Sequence, residues 1–180
     1  MTALERWALG ALLWAATCSA CHATSRLPLT LRPDTRPIEF VRFDSTTMTQ
    51  TMMILQAALP NETAVCYFGG LYDSTVVRED GAHRAKVLHL VLAQEAVADS
   101  TDEYHVYYSK PWAGCPSTVV AIGHSHPYAG AGLCTHSAPD ANVLFLSPRV
   151  LVSIVWCGDG RLEMLYQDGR RYENRWRASQ

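Results

Sequence analysis

A chain of 180 residues with 48% hydrophobic side chains carries enough apolar material for one domain core and too little length for two of ordinary size. Fifteen Lys and Arg against seventeen Asp and Glu leave a formal charge of −2 with no basic block, which excludes the electrostatic footprint of a nucleic-acid binder. The length also excludes the β/α barrels that use His-x-His pairs, which need about 250 residues.

Residues 1–23 read as a signal peptide. Arg6 stands in a short head, an apolar run extends from Trp7 to Ala16, and small residues at Ala20 and Ala23 suit cleavage. The run is shorter than the roughly 20 residues a bilayer span needs, so no stable span is expected after leader removal. The expectation is an exported protein, periplasmic or secreted, with Cys18 and Cys21 leaving a lipid anchor open; an inactive leader would leave the chain cytoplasmic. Cleavage after Ala23 leaves Cys66, Cys115, Cys134 and Cys157, an even set that permits three pairings. Export and disulfides support each other, whereas in a reducing compartment these would be thiols or metal ligands.

Residues 24–40, punctuated by Pro28, Pro33 and Pro37, read as an extended arm ahead of a domain over 41–180. In "FDSTTMTQTMMILQAALP", Met48, Met52, Leu55 and Leu59 recur at helical spacing, with Asp44 or Ser45 as cap and Pro60 as stop. Strands are predicted over 62–70, closed by Gly69 and Gly70, then over 74–79, 86–93, 103–109 and 117–123, with Gly123 at the bend into the histidines. A short helix over 139–147 follows. Three more strands over 150–156, 161–167 and 170–176 are separated by turns at Gly158-Asp159-Gly160 and Asp168-Gly169. This order predicts an α/β domain with a mixed β-sheet flanked by helices.

The chemistry concentrates in "GHSHPYAGAGLCTHSAPD", residues 123–140. His124 and His126 are two apart, so on extended backbone both side chains point to one side and can meet one ion. Asp140 would be a third ligand. Three protein ligands with one open position is the pattern of catalytic zinc, which lowers the pKa of bound water. A carboxylate beside the metal is still needed as acid and base, and Glu62, opening a strand, is the candidate. Ser137-Ala-Pro-Asp140 also has the form of a helix N-cap with proline in the first turn.

Together Glu62, the "HSHP" of His124 to Pro127 and the "SAPD" of Ser137 to Asp140 resemble the JAMM family of metalloproteases, also called MPN+ or JAB1/MPN/Mov34 domains, over roughly residues 40–167. The resemblance implies a JAMM-type, cytidine-deaminase-like fold. It implies Zn2+ on His124, His126 and Asp140, Glu62 as general acid/base, and Ser137 as donor to the developing oxyanion. The implied reaction is hydrolysis of a peptide or isopeptide bond, in a ubiquitin-like tail, a cell-wall peptide or another protein. Ten residues separate His126 from Ser137 where the family has seven, so a looped-out insertion is expected around Gly130 and Gly132.

Two rival readings stand beside this one. A non-catalytic, MPN-like binding or scaffold domain is the first; the intact five-residue set speaks against it. A closed structural zinc site completed by Cys134 and His136 is the second. The preferred use of Cys134 is instead a disulfide to Cys115, with Cys66 and Cys157 as buried thiols or a second bridge. His83, His89 and His105 are expected to be structural or exposed. Zinc deaminases need His-x-Glu and Pro-Cys-x-x-Cys, and neither string occurs.

Overall fold

The computed structural model describes residues 36–107, 114–127 and 134–175. The leader, most of the arm and most of the loop inserted after His126 lie outside the described residues. The end of the arm is already part of the domain, because Ile38–Phe43 forms β1 and runs parallel to β3 (Gly81–Glu95).

Helix α1 (Ser45–Ala58) starts where Asp44 accepts the Thr47 N–H, satisfying one of the amides a helix start leaves unpaired. Met48, Met52 and Leu55 pack on the core as their spacing predicts, while Leu59 is exposed. The most buried positions of the helix are Thr47 and Thr51, one turn apart. Thr51 can sit there because its hydroxyl donates to the Thr47 carbonyl and faces the Tyr67 hydroxyl.

The two strands predicted over 62–70 and 74–79 are one, β2 (Ala64–Arg78), paired from Val65 onward with β3 in a long hairpin whose turn is Glu79-Asp80, just before Gly81. Gly69 and Gly70 do not end it. Register shifts between Phe68 and Gly69, and a Cβ on Gly69 would stand 1.9 Å from the His89 carbonyl oxygen, so this bulge needs a residue without one. The expected strand over 103–109 shrinks to β5 (Val106–Tyr107), paired with β4 (Ser100–Thr101), and residues 117–120 form turns instead of a strand.

Strand β6 (Ala121–His126) carries the histidines within it. Gly123 is therefore no bend: its bare backbone lets Tyr67, Trp156 and the Ile154 carbonyl approach to about 3 Å of where a Cβ would stand. Helix α2 (Ala138–Phe145) then crosses to β7 (Val152–Cys157), parallel to β6, followed by β8 (Arg161–Tyr166) and β9 (Arg171–Arg175) as antiparallel neighbours. Gly160 (φ 80°) and Gly169 (φ 85°) make the two tight turns between these strands. The result is a seven-stranded mixed sheet in the order β1-β3-β2-β6-β7-β8-β9.

Alternation along the strands divides the core in two. Val65, Tyr67, Ile154, Trp156 and Met164 pack with Met48, Met52 and Leu55 of α1, and Phe43 meets the Tyr67 and Trp156 rings edge-on. The opposite face sets Cys66, Val119, Val150 and Leu165 against Leu144 and Ala141 of α2. The helices thus cover opposite faces of one sheet, which is the mixed α/β architecture expected.

Two disulfides brace the α2 side, Cys66–Cys115 and Cys134–Cys157. The expected Cys115–Cys134 pairing is wrong for a topological reason. Cys157 lies opposite His126 in the β6–β7 ladder, so a chain leaving β6 meets it on the way to α2, whereas Cys66 on β2 faces Gly114 and Cys115. Closing loops of 49 and 23 residues, the bridges contribute about 4 and about 3 kcal/mol in the chain-entropy account. Such bridges are typical of oxidising compartments. No helix among the described residues is long and apolar enough to cross a membrane.

Candidate metal centre

Ile122, His124 and His126 alternate onto the α2 face of the sheet, so the two imidazoles leave β6 on one side, as their spacing predicts. Their Nε2 atoms are 3.1 Å apart, and Asp140 Oδ2 lies 3.4 Å from that of His124. One donor atom from each of the three residues falls within 4.8 Å of the others, so the group could hold a metal ion. Tetrahedral coordination with bonds of about 2.0–2.1 Å separates donors by roughly 3.3 Å, close to the two spacings from His124, 3.1 Å to His126 and 3.4 Å to Asp140.

The backbone explains the convergence. In an open sheet, sites form at the carboxyl ends of parallel strands, where a crossover helix begins. His126 and Cys157 end the parallel pair β6 and β7, and Ser137 opens the helix between them. Ser137 is the N-cap as expected: its hydroxyl accepts the Asp140 N–H, and its own N–H donates to Asp140 Oδ2 at 2.7 Å. The same hydroxyl lies 2.6 Å from Asp140 Oδ2, to which it donates. Ser137 therefore aims and charges the Asp140 carboxylate, a supporting role that metal ligands generally need.

Glu62 reaches the centre through the sheet. The antiparallel β2–β6 register sets Ala64 opposite His124, so two residues earlier the chain comes level with His126, and Glu62 Oε1 lies 3.7 Å from His126 Nε2. Glu62 sits just before β2 rather than at its first position. It is held by its N–H to the Asp102 carbonyl and by the neighbouring exchange between Thr63 and Ser125.

The ionisable groups of the centre shift one another. Burial raises the Glu62 carboxyl to about 7, against the pull of His124. Burial also opposes charge on Asp140, yet His124 and the Ser137 donors outweigh it and hold that carboxyl well below the usual range. For His124 burial is again outweighed, here by Asp140 and Glu62, and its pKa rises. A carboxylate pair around an imidazole is thus balanced by a proton that a metal ion could replace.

A buried cluster that sequence reading did not single out lies behind the centre. Glu163 on β8 is almost fully buried and accepts the His136 N–H at 2.6 Å, the His136 ring at 2.7 Å, the Thr135 hydroxyl at 3.1 Å and Arg171 at 2.7 Å. The cluster clamps the residues immediately before Ser137. One signal was present: a lone glutamate inside the apolar run of "RLEMLYQ" has to find partners when that strand is buried. His136 is committed to Glu163 and Cys134 to Cys157, which removes the Cys134 thiolate that the closed four-ligand reading required. His105 is exposed on Asp102, outside the three-residue group though on the same cavity, His83 pairs with Glu39, and His89 packs on Tyr72.

Burial, reinforced by His124, lowers His136 to about 4 against the attraction of Glu163. Between its ordinary 6.5 and that value the unfolded chain binds the extra proton, so stability falls as pH falls through this window. The Glu163 carboxyl is also depressed, since its hydrogen bonds outweigh burial, and adds a further loss as pH drops below 4.5. Glu62, raised to about 7, works the other way over part of this window, so the test is a difference: with a chelator present, lowering the pH from 6.5 to 4 is expected to cost the parent more melting temperature than it costs His136→Gln. Parallel profiles for parent and variant would show that His136 does not carry the loss.

No family model matches the chain, and no curated protein matches it either.

Proposed function

We propose that this chain is a zinc metallopeptidase of the JAMM type that hydrolyses a peptide or isopeptide bond. The observation that carries the reading is the convergence of Glu62 with the His124–His126–Asp140 group, from three separate stretches of chain, at the end of one strand. His124, His126 and Asp140 would hold Zn2+, whose N,N,O donor set and open fourth position suit it. Bound zinc supplies a Lewis acid and brings the pKa of water at the site toward 7.

Glu62 then takes the proton of the attacking water and hands it to the leaving amine. Its burial favours a group that can hold a proton near neutrality, and a nearby cation would draw its pKa down from about 7. The Ser137 hydroxyl donates to Asp140 in the resting arrangement. Donation to an oxyanion requires the O–H to turn away from Asp140 about the Cβ–Oγ bond, so its standing task is to orient Asp140 and its transient one to stabilise the tetrahedral state. The two disulfides favour a peptide or protein substrate met in an oxidising compartment, such as a cell-wall peptide, over a ubiquitin-like tail.

The test is cleavage of a diverse peptide pool by the zinc-loaded full chain, read by mass spectrometry. New termini that vanish with chelator and return with zinc support the reading; one zinc per chain with no cleavage across the pool and across cell-wall peptides overturns it. Ser137→Ala is expected to weaken zinc binding about 10- to 100-fold, as loss of a ligand's hydrogen-bond partner does. Competition against a chromophoric chelator measures this, and an unchanged affinity would leave Ser137 with the helix cap alone.

A further inference from the structure

A cavity of about 950 Å³ opens from the candidate metal centre, at the upper end of the range for small-molecule sites and larger than one side chain requires. Its ionisable groups, apart from Glu103 and His105, gather at the centre, and neither Lys nor Arg is among the described residues that line it. Elsewhere the lining is mostly apolar, with Thr135, Asn142 and Ser153 as uncharged polar members. Its lining includes Ile122 of β6, Pro139 and Val143 of α2 with the C-cap Leu146, and Tyr104 and Tyr107. Four of these side chains, Tyr104, Tyr107, Val143 and Leu146, are exposed. Large apolar groups left in water around a concave site mark it for an apolar occupant.

The aromatic wall is fixed relative to Glu62. The Asp102 carbonyl accepts the Glu62 N–H at 2.7 Å. Its carboxylate accepts the Tyr104 N–H at 2.7 Å and the Tyr107 hydroxyl at 3.1 Å. One residue thus ties the candidate acid/base to the wall that would contact a substrate.

We infer that this cavity receives the side chain next to the scissile bond, and that the substrate is a peptide with a bulky aliphatic or aromatic residue there. A glycine-only tail would leave the apolar walls in water. This inference rests on the metallopeptidase reading for where the scissile bond lies, but the cavity's preference is measurable without turnover.

The full chain, supplied with zinc, is titrated calorimetrically with acetohydroxamate, with N-acetyl-phenylalanine hydroxamate, and with N-acetyl-phenylalanine amide, which has no chelating group. The aromatic hydroxamate is expected to bind about 10- to 100-fold more tightly than acetohydroxamate, the gain from burying one large apolar side chain. Leu146→Asp, at an exposed position, is expected to cut that gap below about threefold with zinc content unchanged. Equal affinities in the parent chain would overturn the inference, and so would a gap that Leu146→Asp leaves intact. Should the chain bind no zinc, the metallopeptidase reading falls by itself. The amide then decides the cavity: binding weakened by Leu146→Asp supports it, and no binding overturns it.

Discussion

Glu62→Gln is expected to lower hydrolysis of any peptide the parent cleaves by about 10²–10⁴-fold while zinc stays at the parent level. Glutamine keeps the size and hydrogen-bonding reach of the side chain but cannot accept and return a proton. The Glu62 N–H bond to Asp102 and the Thr63–Ser125 exchange involve no Glu62 side-chain atom, so the strand entry is expected to survive the change. The two measurements separate the roles. Lost turnover with retained zinc is the behaviour of a proton carrier, whereas lost zinc would make Glu62 a ligand. Unchanged turnover would remove it from the chemistry altogether.

Asp140→Ala is expected to weaken zinc by more than the roughly 10- to 100-fold that loss of a supporting hydrogen bond produces, because it deletes a donor 3.4 Å from His124 Nε2. The paired change Cys134→Ser with Cys157→Ser is the counterpart. It is expected to retain zinc but to lose about 3 kcal/mol of stability through release of the 23-residue loop. Elemental analysis and denaturant titration of both variants read this directly. Zinc lost from the cysteine variant but kept by Asp140→Ala would mean a structural metal and would end the peptidase proposal.

The candidate site was legible because its spacings are local. His-x-His sets two side chains on one face of any extended backbone, and Ser-x-x-Asp is a capping geometry complete within one helical turn. Glu62 was legible as a carboxylate opening a strand and by resemblance, but nothing in residues 60–63 says which strand will lie beside them. That depends on the β2–β6 register. Glu163 shows the same limit from the other side: its charge stood out in an apolar strand, but its partners His136, Thr135 and Arg171 are assembled only by the loop's return over β8 and by β9.

The sequence by itself determined the helix over 45–58, the strands with two-fold alternation, the turns at Gly160 and Gly169, and the side on which His124 and His126 emerge. These follow from periodicity and from φ preferences that a few adjacent residues define. Only the tertiary structure decided that Gly69 and Gly70 lie inside one long strand, because the clash that selects glycine at position 69 is with His89 of the neighbouring strand. It also decided the disulfides. Cysteine pairing is a matter of which strand ends come within about 6 Å in space, and in a mixed sheet that distance is set by strand order, which no single segment encodes.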